Sequence, residues 1–238
     1  MTQQRVFLTA EWNHLLMLNY AVDPDLLQPF VPAGTALDIF DEKAYLSLVG
    51  FEFDRMRISG FPVPFHGAFE EVNLRFYVRR GTQRGVAFIR ELVPKHAVAA
   101  VARFAYGERY SCVPMSHRIH YRLDRDVIEA EYSWGSDAHL CSMHIETKGA
   151  SFLPKEGSLG QFITEHYWGY AAQNRGGTVE YEVQHPQWQI REAGSAAFSG
   201  DAIHYYGADL GLGIMRTPDS AFLAEGSPVI VLKGSQIT

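Results

Sequence analysis

The sequence predicts a mainly β protein whose antiparallel strands close, or nearly close, into a barrel, with about three helices. Three observations carry this. Residues 69–79 alternate without a break: Val72, Leu74, Phe76 and Val78 fall on one face, Glu71, Asn73, Arg75 and Tyr77 on the other. Further strand-like runs, separated by turn-forming sequence, lie at 14–21, 43–54, 85–93, 115–123, 126–134, 138–147, 178–184 and 228–233. Strands do not alternate with helices, as a parallel sheet would require. At 238 residues, without repeats or a polar linker, the expectation is a single domain over 1–238.

The punctuation supports each element. Asp23-Pro24 offers an N-cap and a first-turn proline for a short helix ending before Pro32. Arg79-Arg80-Gly81-Thr82 reads as a hairpin turn, and Leu123–Asp126 and Trp134–Asp137 as turns between successive strands. Pro94 opens a second helix through Ala97–Ala105, with Gly107 as its stop. Ser158 and Gln161 form a capping-box pair for a third, expected to run to about Gln173. Gly207–Gly213 is glycine-rich without the spacing that cradles a pyrophosphate, and reads as a mobile loop or turn.

Composition excludes several classes. With 47% hydrophobic and 20% charged residues the chain has the makings of a sizeable core, unlike a disordered chain. A net charge of −6 lacks the basic footprint of a nucleic-acid binder. Two cysteines, Cys112 and Cys141, are too few for a disulfide framework, so a reducing compartment is expected. No apolar run approaches the roughly 18 residues of a membrane span. The Leu15–Val22 stretch lacks the basic lead-in and cleavage site of a signal peptide, so the expected location is cytoplasmic.

Dinucleotide, phosphate-loop, metalloprotease and nucleophile-elbow motifs are absent. The densest histidine grouping is His139-x-Cys141-x-x-His144, with His117 and His120 on an earlier strand. On strands, 139 and 141 share a face while 144 opposes them, and 117 opposes 120, so no metal or other cofactor is expected.

Phe69-Glu70-Glu71-Val72-Asn73-Leu74-Arg75-x-Tyr77-Val78, followed by Ala102-Arg103-x-x-Tyr106-Gly107-x-x-Tyr110, resembles the YqjF-like family. Phe162-x-Thr164-Glu165-x-Tyr167 and His185-Pro186-x-Trp188 resemble that family's later motifs. The resemblance places the chain in the acetoacetate-decarboxylase-like superfamily and implies an antiparallel β barrel around an internal cavity. The decarboxylases of that superfamily work through a lysine imine, activated by a neighbouring lysine in a Gly-Arg-Glu…Gly-(aromatic)-Pro-Lys-Lys motif. Overlaying Ala102-Arg103 on Gly-Arg puts Tyr110 and Ser111 where the lysine pair stands. Glu71 then matches the relatives' catalytic acid, while their first-strand arginine has no counterpart in Asn19–Asp23. A second register, Pro94-Lys95-His96 on Pro-Lys-Lys, makes Lys95 the one Schiff-base alternative among five lysines.

The expected site is therefore Glu71, Arg103 and Tyr110 as the chemical groups, with Asn73, Arg75 and Tyr106 contacting a small carboxylate or carbonyl ligand. The inward face of a barrel strand is what makes Glu71, Asn73 and Arg75 a cavity wall, rather than the solvent-facing row usual in β proteins. Arg103, on the stripe His96, Ala99, Arg103 and Tyr106, is either an anion clamp or half of a structural ion pair with Glu91 or Glu71. Glu165, Tyr167, His185 and Trp188 are expected to anchor the C-terminal strands. Phe61–Phe65 is expected to be a lid, a protein contact or a rigid connection. The alternative to acid–base chemistry is a non-catalytic binding or interaction protein with a hydrophobically plugged interior. Nucleic-acid and membrane partners are not expected, and the superfamily's self-association admits a homo-oligomer.

Overall fold

The computed structural model describes residues 5–63, 67–95, 110–122, 124, 126–173 and 176–237. The expected second helix, with His96, Ala99, Arg103 and Tyr106, lies outside them, as do residues 64–66. The protein is built from strands β1 (Val6–Val22), β2 (Ala36–Leu37), β3 (Ala44–Ile58), β4 (Phe61–Pro62), β5 (Phe69–Arg80), β6 (Gln83–Val93), β7 (Tyr110–Cys112) and β8 (Met115–Arg122). The later strands are β9 (Val127–Trp134), β10 (Cys141–Phe152), β11 (Trp168–Ala172), β12 (Thr178–Gln184), β13 (Ile190–Gly200), β14 (Ser220–Leu232) and β15 (Ser235–Ile237). Helices are short: α1 (Pro24–Leu27), α2 (Leu159–Thr164), α3 (Ala202–Tyr206) and α4 (Ala208–Ile214).

Strands β12, β11, β6, β5, β3, β1 and β14 follow one another, and pairing of β12 with β14 (Val183 opposite Val231) closes them into a ring. The contact of β11 with β6 is parallel, at Gly169 and Val86; the others around the ring are antiparallel. From β14 the sheet continues through β13, β10, β9 and β8 and folds over the outside of the ring. The period-2 pattern of the ring strands serves two cores at once. On β5, Val72, Leu74, Phe76 and Val78 join an outer core with Ala130, Tyr132 and Trp134 of β9 and Met143 of β10. Its opposite face turns into the ring beside Met17, Val49, Phe51 and Phe53. Gly50 lets the layers meet: a Cβ there would stand 2.8 Å from the Tyr132 ring.

Several expected elements are corrected. The third helix begins as its capping pair predicts, with Ser158 Oγ accepting from the Gln161 amide at 3.3 Å, but ends at Thr164 rather than near Gln173. Trp168–Ala172 pairs with β12 instead, and this tertiary pairing overrides helix propensity. Gly207–Gly213 is not a mobile loop: Asp201 caps α3, and Gly211 of α4 packs so closely that a Cβ would lie 2.8 Å from Ile203 Cα. β13, whose small and polar residues gave no alternation, was not expected at all. By contrast Asp23 caps α1 through the Asp25 amide at 3.0 Å, and Gly81 turns the β5–β6 hairpin at φ 60°.

Gly226, opposite Asn13 on β1, has φ +87°, and a Cβ on it would fall 1.9 Å from the Trp12 carbonyl oxygen. Gly226→Ala is expected to destabilise the protein by about 2 kcal/mol or more, from left-handed strain and the clash together. Denaturant unfolding would read this, and an unchanged midpoint would mean that β1 and β14 can part at no cost.

Candidate functional site

Inside the ring lies a cavity of about 160 Å³. Its walls are largely aromatic and aliphatic, including Trp12, Phe51, Phe53, Phe69, Phe88 and Trp188. Polar groups are few and deeply buried, as expected of a small-molecule site. Glu71, Asn73 and Arg75 of β5 project into it, because alternate residues of a strand share a face. Facing them are Glu91 of β6, Tyr110 of β7, Thr164 at the end of α2, and His166 and His185 of the following connections.

Glu71 is 3% exposed. Its Oε1 accepts from Asn73 Nδ2 at 3.0 Å and its Oε2 from the Tyr110 hydroxyl at 3.3 Å. Burial pushes its carboxyl up to about 7, against the pull of Asn73, Tyr110 and the Arg75 guanidinium towards the ionised form. Asn73 Oδ1 has no hydrogen-bond partner among the described residues. Arg75, also buried, is loosely held: one terminal nitrogen donates to the Ile163 carbonyl at 3.4 Å and lies 3.9 Å from Met17 Sδ. Its Nε is unpartnered among the described residues. An under-compensated guanidinium beside a carboxyl that ionises near neutrality is suited to receiving an anion.

Glu71, Asn73, Arg75 and Tyr110 thus share one cavity, while Arg103 and Tyr106 lie outside the described residues. None of the five lysines, all of them described, lines the cavity. Lys95 donates to the Ala68 carbonyl at 2.7 Å, its nitrogen 5.9 Å from the centre of the Phe69 ring. Ser111, aligned with the second lysine of the relatives, accepts from Arg90 at 3.2 Å and is not a lining residue. Phe61 is 75% exposed, whereas Val63 reaches the cavity wall.

Glu91, His166 and His185 line the cavity but were not among the expected site residues. Glu91 is fully buried opposite Asn73, where a bulge between Leu74 and Arg75 shifts the β5–β6 register by one residue. His166 was expected inside a helix. Burial drives its imidazole down to about 4, with Asp38 too weak to restore it. His185 was expected to serve only as an anchor; its ring stacks on Trp188 at 4.1 Å, and burial lowers its pKa too. Of the other expected anchors, Glu165 accepts from Gln187 at 3.0 Å and Tyr167 meets the His185 ring. Tyr167 follows the helix rather than lying on it.

The histidine grouping also differs from expectation. His139 sits in a 3-10 turn, not on a strand, and gathers with Asp201 and His204. The two imidazoles stack face to face at 3.7 Å, so no ion can lie in both ring planes as they stand. His117 is taken by Glu52 at 3.1 Å and Glu70 at 2.9 Å.

The model of the DUF2071 family, described as an uncharacterised conserved protein, matches residues 9–228. The uncharacterised protein YqjF of Bacillus subtilis strain 168 is 27% identical over 187 residues, 76% of this chain and 74% of YqjF. Among solved structures, the enduracididine biosynthesis enzyme MppR complexed with pyruvate superposes with a TM-score of 0.70 at 12% identity, covering 100% of this chain and 92% of MppR. The acetoacetate decarboxylase of Legionella pneumophila gives 0.68 at 13% identity, covering 100% and 90%. An acetoacetate-decarboxylase-like enzyme of Sphingomonas wittichii RW1 gives 0.64 at 12% identity, covering 97% and 92%. At these identities the likeness establishes the fold and not the chemistry.

Proposed function

Because the chain belongs to the DUF2071 family and has the acetoacetate-decarboxylase-like fold, we propose that its cavity binds a small oxo acid and moves a proton with Glu71, without a lysine imine. One observation carries this reading: Glu71, Tyr110 and Arg75 converge on a buried cavity that no lysine lines. The neighbour that holds pyruvate supports a ligand of that size. Arg75 supplies the charge for the carboxylate. Ionised Glu71 takes a proton from the carbon beside the ligand's carbonyl; the C–H bond breaks, an O–H bond forms on Glu71, and the electron pair moves to the carbonyl oxygen. Return of the proton to carbon or oxygen completes exchange or tautomerisation. A carboxyl titrating at about 7 serves both directions at neutral pH.

Proton NMR of pyruvate, 2-oxobutanoate and acetoacetate in D2O tests this. Protein-dependent loss of the signals beside the carbonyl is expected. Binding of these acids without any exchange would instead establish the non-catalytic alternative. Borohydride added with each acid is expected to leave every lysine unmodified, as read by mass spectrometry. A reduced adduct on Lys95 would overturn imine-free chemistry.

A further inference from the structure

His166 is a buried polar group that the proposed proton transfer leaves unused. Its side chain is 3% exposed, it lines the cavity, and neither ring nitrogen has a hydrogen-bond partner among the described residues. Asp38 Oδ2 stands 4.0 Å from Nε2, beyond hydrogen-bond reach, and is taken by Arg84 Nε at 2.6 Å. Burying an unpartnered imidazole disfavours the folded state, unless something that enters the cavity satisfies it.

Its neighbours locate it. His166 packs on the Tyr77 ring, with centroids 4.7 Å apart, and Tyr77 follows Arg75 by two residues on β5. The imidazole therefore lies at the Arg75 end of the strand. The backbones of Arg75 and Glu71 are separated by about 13 Å of strand rise, and the Arg75 guanidinium lies 5.9 Å from the centre of the Tyr77 ring that His166 packs on. Arg75 Nε lacks a partner as His166 does, and Arg75 is the one arginine or lysine among the described lining residues. One cation and one adjacent uncharged donor match the two oxygens of a single carboxylate.

We propose that Arg75 and His166 together form the carboxylate anchor of this cavity, so that its ligand is a monocarboxylate held between them with its carbonyl-bearing carbon towards Glu71. This rests on the acid–base reading of the same cavity, to which it adds a second anchoring residue and a preference for one carboxylate over two. Among the described residues, the other titratable groups facing the cavity are Glu71, Glu91, Tyr110, Tyr181 and His185. Among the described lining residues, a second carboxylate on the ligand would meet Glu71 and Glu91 rather than a second cation.

The test is a comparison of acid with amide. Pyruvate and 2-oxobutanoate, their primary amides and the diacid oxaloacetate are titrated into the protein by tryptophan fluorescence, since Trp12, Trp168 and Trp188 line the cavity. His166→Phe is expected to weaken the monocarboxylates about tenfold or more and leave the amides unchanged. The diacid is expected to bind more weakly than the monoacids to the wild type. Should His166→Phe not fold, the ring 15N shifts of His166 in the wild type, with and without pyruvate, give the same answer. Equal loss for acids and amides, unmoved ring shifts, or no binding of any acid would overturn the anchor. If acids bind with this His166 dependence but Glu71→Gln leaves exchange unchanged, the acid–base reading falls and the anchor stands.

Discussion

Glu71→Gln is expected to slow exchange of oxo-acid protons with solvent by about 10²–10⁴-fold at pH 7, the usual worth of one positioned acid–base group. Glutamine keeps the shape and one acceptor oxygen for Asn73 or Tyr110, while its amide nitrogen can only donate, and it removes the group that carries the proton. The variant has one buried carboxylate fewer to ionise, so its folding should survive and its affinity for a monocarboxylate should hold or improve at pH 7. There Glu71 is partly ionised and repels the incoming anion, because its carboxyl titrates at about 7. NMR exchange rates measured with saturating acid separate the two effects, since any change in binding then drops out. Unchanged exchange would remove Glu71 from the chemistry, whatever the cavity binds.

The β architecture was legible because β5 and its hairpin obey simple local rules. Alternation named both faces of Val72–Val78 correctly, and Gly81 marked the turn. Closure of the ring was not readable in the same way. It depends on Val183 meeting Val231, a pairing far apart in the chain that no local pattern encodes. Along β13, Glu192-Ala193-Gly194-Ser195-Ala196-Ala197 carries no hydrophobic period, and its place is set by pairing with β10 on one side and β14 on the other.

The candidate site divides along the same line. Glu71, Asn73 and Arg75 follow from one strand's period, whereas Glu91 does not. An unbroken count back from Arg80 opposite Gln83 would set Arg90 against Asn73, inside the ring. The bulge after Leu74 sets Glu91 there instead and turns Arg90 towards Ser111. A single unpredicted residue of register thus exchanges a cation for an acid in the cavity wall. His166 had no local signal, because its position depends on α2 stopping at Thr164.

Glu71 and His166 are also expected to oppose each other in the pH dependence of stability. Glu71 has its carboxyl raised from 4.5 to about 7 in the folded protein. Its contribution is fully present below pH 4.5 and is lost as pH rises through about 7, because the folded state holds the proton longer than the unfolded chain. His166 has its imidazole lowered from 6.5 to about 4. Its contribution is present above pH 6.5 and is lost as pH falls through about 4, because there the unfolded chain takes up the proton first. From pH 4.5 to 6.5 the folded pair and the unfolded pair each bind about one proton, so the two slopes cancel. Removing either partner should expose the other. Relative to the wild type, Glu71→Gln should gain stability with rising pH across this window, by about 1.4 kcal/mol per pH unit. His166→Phe should lose stability with rising pH at a similar rate. Urea unfolding of the three proteins at several pH values, compared as differences, isolates these groups from the rest of the titratable surface. Parallel curves would show that one or both side chains are hydrated in solution, and would remove the electrostatic basis of the two-ended cavity.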